Sequence, residues 1–425
     1  MQVQQPKKGY TLIKSRFGKY EEVPEDWEPA RQGDVCEFIN GYAYSQSEFR
    51  ESGYPIIRIQ NLNGGQNFVY SDVELPKKQF AEKGDLLYAW SATFGPFIWD
   101  GPKAAFHYHQ WKVIPNDSID KTFLYYHLER ITPTIKNMGQ SGLGMFHMTK
   151  ESMEKFLFFK PKLKREQQKI ASILSNVDSE IQQTQKIIEQ SQNIKKGLMQ
   201  KLLIKGLKHT KFRKIKSFYG KYEEVPEDWS RKQLSELGDL SAGGTPSTFN
   251  EEYWKDGTIP WISSGEVKNN RIYDSEKKIT NSGLKNSAAK RFPKGTVLVA
   301  ITGFGTTRGK SSILEIEAST NQSVVGIIPK PKVIFSDFLW FALQNQYWTL
   351  RNFAQGTQQP GLNLDILEKF QIFLPNNITE QQKIASILSN VDSEIQIEQD
   401  HKSKLETLKN GLMQKLLTGQ IRVKV

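Results

Sequence analysis

The sequence is poor in what several protein classes require. It holds a single cysteine, Cys36, so no disulfide can form within the chain, which suits a reducing cytoplasm. Long hydrophobic runs are missing too. The longest strictly apolar stretches are a few residues, such as Val297 to Ile301, against the roughly 20 residues of a membrane-spanning helix. The opening MQVQQPKKGY lacks the apolar core of a secretory leader. Acidic residues are in deficit, 46 against 58 lysines and arginines, giving a net charge of +12. That sign points first to nucleic acid as a partner, although a merely basic soluble protein would show the same balance. Part of the excess lies in IKGLKHTKFRKIK, with Lys205, Lys208, Lys211, Arg213, Lys214 and Lys216. Such a run is either a solvated linker or a track for a phosphate backbone.

Catalytic signatures are equally scarce. ITGFGTTRGKSS, Ile301 to Ser312, comes near a phosphate-binding loop, with Gly309, Lys310 and Ser311 in place. The first glycine of that motif falls on Phe304, and Gly303 and Gly305 miss it by one on either side. A one-residue slip matters, because the backbone N–H groups must converge on one phosphate. A better use of the turn is to bring Arg308 and Lys310 close to a DNA phosphate or base edge. The chain has neither an Asn/Asp-Pro-Pro-aromatic box nor Phe-x-Gly-x-Gly, so a methyltransferase signature is missing. Asp256 with Glu266 and Lys268 could form a nuclease-like triple, but such triples arise by chance and the first half has no counterpart. His107-x-His109 has no cysteine or acidic residue at ligand spacing, and Asn321-Gln322 stands in the corresponding stretch of the second half, so no metal is expected. No residue is therefore assigned a catalytic role.

What the chain does have is a copy of itself. EQQKIASILSNVDSEIQ occurs twice, at Glu166 to Gln182 and at Glu380 to Gln396. KSRFGKYEEVPEDW from Lys14 returns as KSFYGKYEEVPEDW from Lys216, an offset of 202, whereas the seventeen-residue segment and KGLMQKLL/NGLMQKLL recur at 214. Each unit is thus a shared entry, a long middle and a shared end, the second middle being longer by twelve residues. The middles differ in letters but match in layout: GYPIIRI faces GTIPWIS, FAEKGDLLYA faces FPKGTVLVA, KTFLYYHLE faces SDFLWFALQ, and MEKFLFFKP faces LEKFQIFLP.

Short β-rich runs (YPIIRIQNL, DLLYAW, HQWKVI, TVLVAIT, SVVGII) bounded by Gly, Pro, Asn and Ser predict strands. Helices are predicted near Phe123 to Glu129 and Phe338 to Gln344. Each middle thus reads as an α+β domain. The repeated segment is a helix: Ile170, Leu174, Val177 and Ile181 follow the a/d spacing of a coiled coil, as do Ile384, Leu388, Val391 and Ile395. Each helix would run roughly 40 residues, about 60 Å. Two such stripes predict an antiparallel helix pair, the alternative being that each helix packs on its own domain. The predicted organisation is a first domain over 1–160, a central helix over 161–205, a basic linker over 206–218, a second domain over 219–375, a C-terminal helix over 376–418 and a tail over 419–425.

At this point the residues resemble a known family. EVPEDW entering each unit, GGTPS, IPWIS, FPKGTVLVA, TGFGTTRGK and NQS in the second half, GYAYSQSEF, GYPIIRIQNL and KGDLLYAW in the first, and EQQKIASIL…GLMQKLL closing both make the chain similar to specificity subunits of Type I restriction–modification systems. The resemblance covers nearly the whole chain. It implies two target-recognition domains of similar α+β fold, separated by an antiparallel pair of long coiled-coil helices. Each domain would read one half of a split, asymmetric DNA site, and the helices would set the spacing. The subunit would catalyse nothing and bind no cofactor. Two methyltransferase subunits using S-adenosylmethionine would dock on it and link it to ATP- and Mg-dependent restriction subunits. Base contacts do not carry over one by one, so the DNA-binding candidates rest on loop polarity and matched positions. In the first half these are Ser45, Gln46, Ser47, Arg58, Gln60, Asn61, Trp90, Ser91, His107 and His109. In the second they are Thr245, Ser247, Ser263, Ser264, Thr302, Arg308, Lys310, Asn321, Gln322, Gln355 and Gln358. Ile170, Leu174, Ile384 and Leu388 are the candidate partner-binding residues. The rival readings are a self-contained Mg-dependent nuclease and an adaptor that binds the same methyltransferase without reading DNA.

Overall fold

The duplication reappears in three dimensions, element by element. The computed structural model describes residues 5–14, 20–138, 149–216, 222–303, 305–353 and 362–424. The chain divides into two units, Met1–Gln185 with Asp400–Val425, and Lys186–Gln399. The central helix Lys164–Lys205 starts in the first unit and ends in the second, and the C-terminal helix Ile378–Leu416 does the reverse.

In the first unit one four-stranded sheet has the order Cys36–Asn40, Gln110–Pro115, Leu86–Ser91, Thr93–Ile98, and a second has the order Val69–Ser71, Tyr54–Ile57, Ala104–Phe106, Phe80–Ala81. In the second unit the first sheet follows Gly238–Ala242, Val324–Pro329, Val297–Ala300, Ser311–Leu314, Arg271–Ile272. Its companion follows Lys277–Ile279, Ile259–Ile262, Ala318–Thr320, Arg291–Phe292. Each companion sheet contains one parallel pair, Ile56–Ile57 beside Ala105–Phe106 and Trp261–Ile262 beside Ser319–Thr320. Leu86–Ala89 and Val297–Ala300 are buried on both faces, which is why they read as unbroken apolar runs rather than as alternation. Helices Lys121–Met138 and Ser336–Asn345 follow at matching places. Two expectations are corrected. IQNL does not continue a strand but forms a short helix, Ile59–Leu62. The basic linker contains a strand, Phe212–Lys216, paired antiparallel with Tyr222–Pro226, because cross-strand backbone bonds to the shared entry segment decide its state where five residues carry no period of their own.

The apolar stripes of the long helices are buried by the domains as much as by each other. Ile170, Ala171 and Leu174 join Trp27, Phe123, Phe158, Met413 and Leu416 in the first unit's core. Ile384, Ala385 and Leu388 join Trp229, Phe338, Leu367, Leu202 and Leu203 in the second. Ile170, Leu174, Ile384 and Leu388 are each fully buried. The period correctly marked the hidden face, but what hides it is this chain's own domain, which takes these four out of reach of another subunit.

Within each unit the two helices run antiparallel. In the first, Glu166 meets Arg422 at 2.9 Å and Asp178 meets Lys409 at 2.8 Å, so the partner position falls as the central helix advances. In the second, Glu380 meets His209 at 2.7 Å and Asp392 meets Lys195 at 2.6 Å. The two sets are copies. Lys409 lies over the Tyr126 ring and Lys195 over Phe341, each at 5.5 Å. Arg422 also grips Asp26 with both oxygens, at 2.8 and 2.7 Å, and His209 Nδ1 lies 3.3 Å from Asp228. Arg422 holds the Asp26 carboxyl below its usual range, chiefly by hydrogen bonding, and its own guanidinium is pushed further up by the same bond.

Candidate nucleic-acid interface

In each unit the polar candidates collect where strand ends of the two sheets meet. Backbone bonds fix the meeting point in the first unit: His107 N–H donates to Ile57 O at 3.0 Å, Tyr108 N–H to Tyr42 O at 3.0 Å, and Trp90 N–H to His109 O at 3.1 Å. Gly41 is required there, since a Cβ would stand 2.3 Å from the His107 carbonyl oxygen. The second unit repeats the scheme, with Asn321 N–H to Ile262 O at 3.0 Å and Ile301 N–H to Ser323 O at 2.9 Å, and a Cβ on Gly243 would meet Thr320. Arg58 therefore corresponds to Ser263, His107 to Asn321, Tyr108 to Gln322 and Trp90 to Ile301.

The same scaffold carries different chemistry in the two units. The first has an aromatic and imidazole cluster: His107 and His109 rings 4.9 Å apart, Trp90 to His109 5.5 Å, and Trp90 to Tyr108 6.2 Å. Burial, with smaller effects from His109 and Arg58, lowers the His107 pKa to about 4, so its ring is neutral at physiological pH. Beside it Glu48 accepts from Ser45 N–H at 2.7 Å, Ser45 Oγ at 2.7 Å and the Tyr42 hydroxyl at 2.8 Å. These bonds, those from Ser45 first, hold the Glu48 carboxyl below its ordinary range. Ser45, Gln46 and Ser47 are exposed on the short helical turn that this carboxylate organises. Ser91 ends the tight hairpin closed by Ala92, whose φ is +56°. The exposed Gln60 donates to Asn67 O at 3.0 Å.

Asn61 departs from expectation. It is buried, its Oδ1 accepts Arg58 N–H at 2.9 Å, and its amide donates to Gly65 O and Asn67 O. Its amide therefore organises the turn that presents Arg58 and Gln60.

The second unit's rim is smaller and more polar. Ser263 N–H and Oγ both bind Glu266, at 2.8 and 2.9 Å, repeating the Arg58–Asn61 turn, with Ser264 half-buried beside them. The Thr245 hydroxyl bonds the exposed Gln322. Asn321 Oδ1 accepts Ser323 N–H at 3.1 Å, and Ser247 and Thr302 are exposed. The loop bearing Arg308 and Lys310 is tied down by its carbonyls: Arg351 donates to Gly305 O at 2.5 Å and Tyr347 OH to Thr306 O at 2.9 Å. Gly309 N–H is used on Ala300 O and Lys310 N–H on Thr307 O. Among the described residues, those amides do not converge on an outside point as a phosphate cradle needs. Gln355 and Gln358 lie outside the described residues. Tyr42, Glu48, Tyr108, Tyr347 and Arg351 belong to these rims without having been candidates; only their adjacency to quoted motifs could have marked them.

Two copies of one sequence family account for the two copies of this rim. Residues 24–191 and 226–407 each match the family described as Type I restriction modification DNA specificity domain. The chain belongs to that family. It is similar to the Type I restriction enzyme MjaVIII specificity subunit of Methanocaldococcus jannaschii, 29% identical over 418 residues, covering 95% of this chain and 94% of the relative. It also resembles the EcoBI specificity subunit of Escherichia coli, 25% identical over 391 residues, 88% of this chain and 81% of that one. Among solved structures, the S subunit of a Type I restriction–modification system from M. genitalium superposes with TM-score 0.60 at 15% identity over 92% of this chain and 96% of that one. At that identity the likeness speaks for the fold alone. Members of this specificity family are the DNA-recognition components of restriction–modification enzymes rather than their catalysts.

Proposed function

We propose that this specificity subunit reads a bipartite, asymmetric DNA site, one half with each unit. The observation that carries this reading is one rim built twice with unlike side chains: Arg58, Trp90, His107 and Tyr108 on one copy, Ser263, Ile301, Asn321 and Gln322 on the other. Arginine suits guanine, asparagine and glutamine suit adenine, and serine or threonine suit either. Lysines and arginines, in a chain of net charge +12, supply salt-dependent affinity through phosphates. The paired helices set the distance between half-sites and dock two methyltransferase subunits through equivalent surfaces. S-adenosylmethionine is used by those subunits, and ATP with Mg by restriction subunits joined through them, all in the cytoplasm. The exposed sides of the helices are the docking candidates. Ile194 and Leu408, 58% and 50% exposed, occupy the same position in the two repeats.

Arg308 tests the DNA reading. Arg308→Ala in the assembled methyltransferase complex should weaken binding to site-bearing DNA by about tenfold while lowering the slope of log affinity against log salt by about one. Unchanged affinity and slope, with the fold intact by circular dichroism, would remove Arg308 from the interface.

A further inference from the structure

Among the exposed apolar side chains of the second unit, one stands out. Phe249 is 98% exposed, more than any other large hydrophobic residue among those described. A solvated phenyl ring on a loose tail would be unremarkable, but the backbone around Phe249 is fastened on both sides. Before it, Gly244 N–H donates to Thr320 O at 2.9 Å, Trp261 Nε1 donates to Gly244 O at 3.0 Å, and Pro246 is buried. After it, Asn250 N–H returns to Ser247 O at 3.3 Å, Trp254 Nε1 donates to the same oxygen at 3.0 Å, and Asn250 Oδ1 accepts Glu252 N–H at 3.1 Å. The ring therefore stands on a stiff loop whose base, Thr245, bonds Gln322 of the proposed reading rim. Among the described residues, the equivalent loop of the first unit carries no such ring. On its equivalent loop Tyr44 stacks on Phe49 at 6.1 Å, both are half-buried, and Glu48 holds the turn.

We propose that Phe249 is an apolar wedge that inserts into the base stack of the half-site read by the second unit, and of that half-site alone. The proposal rests on the DNA-reading function above. An aromatic ring held rigidly beside hydrogen-bonding groups is suited to enter a base step, because the ordering cost is already met by the loop and the ring gains a stacked partner on insertion. Polar neighbours Thr245, Ser247 and Gln322 would fix the register in which it enters. Specificity would then include how readily the contacted step unstacks, with flexible pyrimidine–purine steps favoured.

The test uses the full chain assembled with its methyltransferase subunits and duplexes carrying its methylation motif. 2-Aminopurine is placed at successive steps of either half-site, away from the methylated adenines and their stacking neighbours, which the methyltransferase itself unstacks. With the wild-type complex, fluorescence should rise at one step of the second unit's half-site and stay flat throughout the other. Phe249→Ala should abolish the rise and weaken affinity about tenfold, in line with loss of one stacked base, while Phe249→Trp restores both. If the wild-type complex binds and Phe249→Ala leaves affinity and fluorescence unchanged, the wedge is overturned and the reading function stands. Failure of the wild-type complex to prefer its motif over random DNA would overturn that function instead.

Discussion

Several side chains are explained only by comparison with their counterparts in the other repeat. His107 and His127 occupy positions where the second unit has Asn321 and Ala342. Burial lowers both imidazole pKa values, His107 to about 4 and the fully enclosed His127 well below normal. A base whose pKa is depressed on folding costs nothing while both states are neutral. As pH falls below about 6.5 the unfolded chain takes up protons that the folded one refuses, and His107's share of the loss is complete below about 4. The first unit should therefore lose protection between pH 7.5 and 5 in hydrogen exchange, more than the second, and His107→Asn should flatten part of that slope. Equal loss in both units would show that these two rings do not govern it. His209 gives the reciprocal comparison. It faces Asp228 and Glu380 as Arg422 faces Asp26 and Glu166. His209→Arg should keep the second unit's stability, whereas His209→Ala should cost about 1–3 kcal/mol by leaving the largely buried Glu380 with only the Leu207 N–H as donor among the described residues. A denaturant series on the three proteins checks this.

At the scale of elements, much was legible because the repeats constrain each other. Strongly periodic helices sharing an identical seventeen-residue segment announced themselves, and aligned runs such as DLLYAW with TVLVA located the central strands. The short helix at Ile59–Leu62 and the strand at Phe212–Lys216 were not legible, since four or five residues carry no period and long-range pairing decides them. Nor does a 3.5-residue stripe say what will cover it. Ile170, Leu174, Ile384 and Leu388 are core residues, so Leu174→Asp with Leu388→Asp should unfold the units rather than selectively release a partner. The proposed docking role therefore falls to the exposed side. Ile194→Glu with Leu408→Glu should leave the melting temperature within a few degrees of wild type and abolish co-purification of methyltransferase subunits. Retained co-purification would move the docking surface elsewhere.

At the scale of the whole molecule, duplication separates two tasks. What both copies need alike is kept: the entry segment, the Asp178–Lys409 and Asp392–Lys195 pairs, and the buried stripes. The side chains proposed to read DNA sit at strand ends and loops, where substitution is tolerated, although the cores differ as well, as buried His127 and Ala342 show. Base identity stayed illegible because the side chains proposed to read it, Arg58, Trp90, Asn321 and Gln322 among them, would acquire meaning only against DNA. The most direct test is a genome-wide map of methylated adenines in host cells with and without this gene. The account predicts that deletion removes one asymmetric, bipartite motif, and that replacing the second unit's rim residues alters only one half of it. A map unchanged by deletion in cells where the methyltransferase is active would contradict it.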